Sequence, residues 1–314
     1  MPIAPSVPPP GRSQLDHRLV DNRRRSALLV AASTATVAAV AWVVGLIAGA
    51  GAVGLGTGLL LAVTTGVAAS QVGDALILRI SRARLADPVD HARFHNLVGG
   101  LCASAGISPP ELFVIDDPAL NAFSTGSDPA HAALVVTTGL LETLDRVELE
   151  GVLAHELSHV KSGDTLPASL AVTLVGLPVL VADVVLRARA GLGWRMSPGA
   201  RPAPVSGRAL GVVGLPLLVL APAVAGLLRL AVDRRREPVA DLAGASLTRY
   251  PPALASALEK LAAGTITVGS ACRATAHLWF AFPLDCPDDR LGRVNRRFAI
   301  PPSLEERLEA LKEL

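Results

Sequence analysis

The sequence predicts a mostly α-helical membrane protein, with two N-terminal transmembrane helices and a small α+β domain that a second apolar helical hairpin interrupts. Three observations carry this reading. Hydrophobic residues make up 51% of the 314 positions and charged residues only 18%, against about a quarter charged in ordinary soluble domains. Apolar runs at 27–47, 51–72, 166–186 and 209–232 each approach the roughly 20 residues that cross a hydrocarbon core. Between and after them lie charged stretches with short β-branched runs and amphipathic periodicity.

The remaining composition sharpens the class. Aromatics are 3% of the chain, so the apolar content is Ala, Val, Leu and Gly, the residues of closely packed membrane helices. Mean hydropathy is +0.46. A net charge of +2 argues against a nucleic-acid partner, and the arginines cluster at the ends of apolar runs, where membrane topology accounts for them. Cys102, Cys272 and Cys286 have no CxxC spacing, which gives neither a disulfide framework nor a thiolate metal site.

Taken in order, residues 1–25 read as a disordered cytoplasmic tail, proline-rich at first and closed by Arg23, Arg24 and Arg25. Residues 26–80 form the transmembrane hairpin. Its first run is longer than the roughly 7–15 apolar residues of a secretory signal and is followed at once by a second. The glycines of 51–72 lie in an apolar stretch without a following Lys-Ser/Thr, so they serve helix packing and not a phosphate loop. Arginines flank both ends of this hairpin, Arg23–Arg25 before it and Arg79, Arg82 and Arg84 after it. The positive-inside bias therefore places the tail and everything beyond residue 79 in the cytoplasm.

Residues 87–165 read as the first part of a soluble domain. A helix ends at Gly106, "ELFVID" and "ALVVTTGLL" are strands, and a helix capped by Asp145 and stopped by Gly163 carries "HELSHVKSG". The second apolar hairpin occupies 166–232. Five arginines between its runs leave open whether it crosses the bilayer fully. Residues 233–314 complete the domain with three helices, the last opened by prolines.

The chemistry sits in "GVLAHELSHVKSGD", residues 151–164. On an α-helix, His155 and His159 lie one turn apart on one face and can present imidazole nitrogens to one ion. Glu156 is one position round the helix, off the metal but within reach of a water there, as a general base must be. His91 and His95 repeat the spacing without a glutamate between them, and they read as helix-surface histidines. A catalytic zinc takes three protein ligands and one open position. Glu237 can be the third, and Asp241, four residues on, can accept the second ring N–H of a ligating histidine. Taken alone, Glu237 reads better as an acidic residue favoured in a first helical turn. The second apolar pair separates His159 from Glu237, and a hairpin returns the chain to the same side.

With these motifs in hand, the chain resembles the HtpX-like membrane-embedded zinc metallopeptidases, the gluzincin family that includes the CAAX prenyl protease. The matching pieces are "NAFSTG" (121–126), "HELSHVKSGD" (155–164) and "REPVADLAGASLTRYPPALASALEKL" (236–261), in family order. The resemblance implies a zincin-type α+β catalytic domain with a small sheet. It also implies one zinc ion per chain held by His155, His159 and Glu237, with Glu156 as catalytic base and Asp241 behind a ligand. Asn121 would lie on a strand edge beside the substrate cleft, with turn capping as its alternative, and Arg307 would belong to the same cleft. Members usually carry a His-Pro pair before the last helix. Here that stretch reads "RFAIPPSLEER", so the contribution of that histidine is missing.

The expected activity is zinc-dependent endopeptidase cleavage at the cell (inner) membrane by a multi-pass protein, with unfolded or misfolded membrane proteins as substrates, a quality-control role. Processing of one lipidated or secreted peptide is the alternative within enzymes. A catalytically weakened membrane scaffold is the alternative outside them. Oligomeric state is not legible in the sequence.

Overall fold

The structure, a computed structural model, describes residues 12–47, 49–176, 236–264, 266–272, 274–284 and 302–313. The proline-rich head (1–11), all of the second apolar hairpin beyond residue 176, Cys286 and the stretch "RFAIP" lie outside the described residues.

Helix α1 runs over Arg12–Ile47 and α2 over Gly51–Ile80. This corrects the expected tail: residues 12–25 are the first turns of α1. The segment holds no glycine or proline after Gly11, and its Asn22 is buried against the rest of the fold, so nothing in it opposes helix and a contact secures it. The two helices pack closely through glycine. A Cβ on Gly54 would stand 2.4 Å from Ala41 O and 2.8 Å from Gly45 Cα, and one on Gly58 would meet Ala41 Cβ at 2.5 Å. The outward face stays apolar and uncovered, with Leu60 67%, Leu61 60% and Val63 56% exposed.

The sheet combines β1 (Arg84–Leu85), β2 (Glu111–Ile115), β3 (Ala122–Gly126) and β4 (Ala132–Thr137) in the order β1-β2-β4-β3. Strands β2 and β4 are parallel, with Glu111 opposite Ala133 and Ile115 opposite Thr137. Strand β3 is antiparallel to β4, with Ala122 opposite Val136, and forms one edge. Every residue of β4 is buried, which explains its unbroken apolar run. Two sequence expectations need correction here. "ALVVTTGLL" is strand only to Thr137, whose hydroxyl accepts from Leu140 N and starts helix α4 (Thr138–Thr143). Strand β3, read as part of a connection, shows no alternation because both of its faces are buried.

Helix α3 (Ala92–Ala105) ends on left-handed Gly106 as expected. Helix α5 (Arg146–Ser162) opens with a reciprocal capping box between Asp145 and Glu148 and closes on left-handed Gly163. Next comes α6 (Thr165–Ala171), passing into a π-helical turn at Val172–Gly176. After the undescribed stretch come α7 (Arg236–Thr248), α8 (Pro251–Ala263) and α9 (Leu304–Lys312). The last helix is capped by Ser303 in a box with Glu306, so the prolines precede the cap rather than open the helix.

One apolar cluster joins α3, the sheet, α5, α8 and α9 through Phe94, Leu97, Leu134, Leu153, Leu254 and Leu311. A second, with Ile77, Ile115, Phe123, Val135 and Trp279, locks the end of α2 onto the other side of the sheet. Helix α5 therefore lies between β3 and α7, with no water-exposed face along its middle.

Candidate active site

The chain turns sharply at both ends of α5, and between the caps His155, Glu156 and His159 are buried at 0%, 1% and 3% exposure. Such burial of three titratable groups requires partners for each, and each has them. The two rings meet through Nε2, 3.2 Å apart. Their other nitrogens face carboxylates: His155 Nδ1 lies 2.8 Å from Asp241 Oδ1, and His159 Nδ1 lies 3.3 Å from Asp164 Oδ2. A carboxylate on Nδ1 holds the proton there and leaves Nε2 as a lone-pair donor.

Glu237 reaches this pair from the first turn of α7. Its Oε2 lies 3.3 Å from His155 Nε2 and its Oε1 3.7 Å from His159 Nε2. Ligand atoms of all three residues fall within 4.8 Å of one another. Helices α5 and α7 come this close because Gly244 faces α5, where a Cβ would stand 2.8 Å from His155 N. Two imidazoles and one carboxylate are a donor set that could hold zinc and leave a fourth position open, so the residues present fit that ion.

The charges around the three groups are arranged to match. Arg236 Nε donates to Glu237 Oε1 at 2.8 Å. Burial alone would raise the Glu237 carboxyl, but Arg236 and the two histidines hold it well below the usual value. Burial disfavours a charged His159, yet hydrogen bonds with Asp164 and Glu237 outweigh it and raise the ring to about 9. Metal at this site therefore competes with a proton.

Glu156 points toward β3, where Ser124 Oγ donates to its Oε2 at 2.8 Å. Asp241 is gripped by Arg307, which donates from Nε to Oδ2 at 2.8 Å and from Nη2 to Oδ1 at 2.7 Å, a two-point pairing. Arg307 also donates to Phe280 O at 2.7 Å and stacks on the Phe280 ring, which meets His155 edge-on.

Of the residues expected from the sequence, His155, Glu156, His159, Glu237, Asp241 and Arg307 thus converge, and the placements of Arg307 and Asn121 differ from the expectation. Arg307, expected to line the cleft, is 2% exposed and spends its guanidinium on Asp241 and Phe280. Asn121, also 2% exposed, donates to Ala281 O at 2.8 Å and accepts from Ala281 N at 3.0 Å. Its amide clasps the backbone N–H and C=O of Ala281. The sequence reading missed Asp164, Ser124, Arg236 and Phe280. Asp164, Ser124 and Arg236 stood inside the quoted motifs, Asp164 just past a helix-ending glycine; nothing local marked Phe280. His95, read as a surface histidine, is half-buried with Nε2 3.0 Å from Ala86 O.

Residues 88–314 match the sequence profile of Peptidase family M48. The chain is 38% identical over 262 residues to a protease HtpX homolog of Dictyoglomus turgidum, covering 83% of this chain and 82% of that one. It is 37% identical over 297 residues to the protease HtpX homolog of Acidiphilium cryptum, covering 93% and 96%. The chain belongs to peptidase family M48. It is accordingly a metalloprotease, and the M48 match contains every residue of the cluster just described. The crystal structure of S. mikatae Ste24p is a more distant likeness, at 19% identity and TM-score 0.44 over 81% of this chain and 57% of that one.

Proposed function

We propose that this M48 protein is a multi-pass membrane zinc endopeptidase with its site on the cytoplasmic side, acting on unfolded or misfolded membrane proteins. The observation that carries the reading is the meeting of two imidazole Nε2 atoms and one carboxylate from two helices far apart in the chain. In it, His155, His159 and Glu237 hold one zinc ion. Asp241 and Arg307 keep the His155 ring in register. When bound, zinc supplies Lewis acidity toward the scissile carbonyl and brings the pKa of water toward about 7.

Glu156 takes a proton at a carboxylate oxygen and returns it to the leaving amine, work worth roughly 10²–10⁴-fold in rate. Ser124 limits the rotation of that carboxylate from the Oε2 side. An extended substrate segment pairs with the β3 edge at Ser124. In the antiparallel β3–β4 pair, Ala122, Ser124 and Gly126 direct their backbone groups outward. Phe280 N already donates to Ala122 O, and Ser169 Oγ accepts from Gly126 N. Ser124 lies between them, and its side chain already touches the base. Pairing there demands an extended backbone, which an unfolded segment offers and a compact domain does not.

The membrane reading is supported by two apolar helical spans, Leu19–Val43 and Gly51–Ala69, with mean hydropathies of 1.8 and 1.7. Arginines at both ends of the hairpin favour the cytoplasmic side for the domain. Residues 26–80 then form the membrane hairpin, and 87–165 with 233–314 form one catalytic unit around the second apolar pair, 166–232.

The test is cleavage of casein by the full chain purified in detergent. Cleavage should stop with a chelator and return with zinc, and Glu156→Gln should cut the rate by at least about 10²-fold while retaining stoichiometric metal. Continued cleavage by that variant would remove Glu156 from the mechanism. A wild-type chain without stoichiometric zinc would refute the metal assignment.

A further inference from the structure

Asn22 lies in the basic stretch of α1, where a solvated polar residue is the expectation, yet it is only 7% exposed. Its Nδ2 donates to Ser162 O at 3.0 Å and to Asp164 Oδ1 at 2.5 Å. The opposite oxygen, Asp164 Oδ2, accepts from Ser162 Oγ at 2.8 Å and lies 3.3 Å from His159 Nδ1. Asn22 is thus joined through one carboxylate to one of the three residues proposed to hold zinc. Helix α1 approaches this turn closely: a Cβ on Gly163 would stand 2.9 Å from Leu19 Cδ2. Only the left-handed glycine at the end of α5 leaves the room.

We infer that Asn22 is a positioning residue for the metal centre, so that metal affinity depends on α1 being docked against the end of α5. The inference rests on the zinc reading of His155, His159 and Glu237. The physical reason is rotational freedom. With donors on both oxygens, the Asp164 carboxylate is fixed in plane and angle. Without Asn22, Oδ1 has no other donor among the described residues. The carboxylate is then free to swing toward Ser162, away from a histidine contact that is already long. His159 loses the acceptor that sets its tautomer and ring angle, and partners of this kind typically govern 10–100-fold in metal affinity. An α1 that merely anchors the chain would lower stability when loosened without changing how tightly folded protein holds metal.

The experiment measures zinc affinity of the detergent-purified full chain by chelator competition, on fractions shown to be folded by circular dichroism. Asn22→Ala and the isosteric Asn22→Leu should each weaken zinc binding about tenfold. In an Asp164→Asn background, Asn22→Ala should add no further loss, because the relay is already cut. Ser26→Ala, which removes a neighbouring α1 hydroxyl that donates to Asn22 O, should bind zinc as wild type does. Wild-type affinity in both Asn22 variants, or an equal loss from Asn22→Ala with and without Asp164, overturns the inference. Failure of wild type to bind zinc would instead refute the metal reading on which it rests.

Discussion

His155 depends on an anion behind it as much as on its own position. Asp241 is that anion, and Arg307 compensates its charge within a fully buried pair. Asp241→Asn keeps the shape and removes the charge, so zinc affinity should fall by about 10–100-fold, read by chelator competition. Arg307→Met leaves Asp241 buried without its cation. That should lower the free energy of unfolding by about 3–5 kcal/mol, measurable in a denaturant titration, and an Arg307→Met protein as stable as wild type would contradict the buried pairing. Of these partners, Asp241 was legible in the sequence because Glu237 and Asp241 repeat the i, i+4 spacing of His155 and His159. The role of Arg307 was not, because its partner lies 66 residues away and only the packing of α9 against α7 brings them together.

Two contacts decide how α5 is held among its neighbouring elements. Gly244 lets α7 approach until its missing Cβ would overlap His155 N. Gly244→Ala must push the helices apart, which should cost about 1–3 kcal/mol and weaken zinc binding together, since Glu237 rides on the displaced helix. On the opposite flank, Glu148 ties α5 to α8 through Ser256 at 2.7 Å and Lys260 at 2.6 Å. Burial works to raise the Glu148 carboxyl, but Lys260, Ser256 and the Asp145 N–H outweigh it and hold it below its ordinary value. A pKa depressed by folding gives stability that is present above the unfolded-state value of about 4.3 and is lost as pH falls through the folded value. Glu148→Gln should therefore unfold more easily than wild type at pH 7, and the gap should close as the solution is acidified below about pH 4. A pH-independent gap would show that the carboxylate charge is not what matters there. Capping glycines and Asp145 were readable in advance because their chemistry is local. Strand β3 was not, because both its faces are covered by other elements.

For the molecule as a whole, the α1–α2 hairpin is packed onto the domain that holds the site. The end of α2 enters the second core through Ile77, and Asp74 Oδ1 accepts from Thr125 Oγ1 of β3 at 2.9 Å. If the domain faces the cytoplasm, a cysteine introduced at Val89, which is 85% exposed, in a background lacking the native cysteines should react with a membrane-impermeant maleimide in inverted vesicles and not in intact cells. One at Ala50, in the turn between α1 and α2, should do the reverse. Labelling of both from the same side would rule out a spanning hairpin.

By itself the sequence determined what depends on nearest neighbours along the chain: the helical spans, their caps, the His-Glu-His face of α5 and the acidic pair of α7, since helix geometry fixes the relation of residues three and four apart. Only the tertiary structure decided which groups complete those residues. It set Asp164 and Asn22 behind His159, Arg307 behind Asp241, and Ser124 against Glu156, and it turned Asn121 inward onto Ala281. Apart from the Asp164–His159 contact, which spans five residues, these are contacts between segments separated by tens of residues, and they exist only because burying the apolar faces of α5 and β3 forces the chain's distant polar groups to find partners in the same small space.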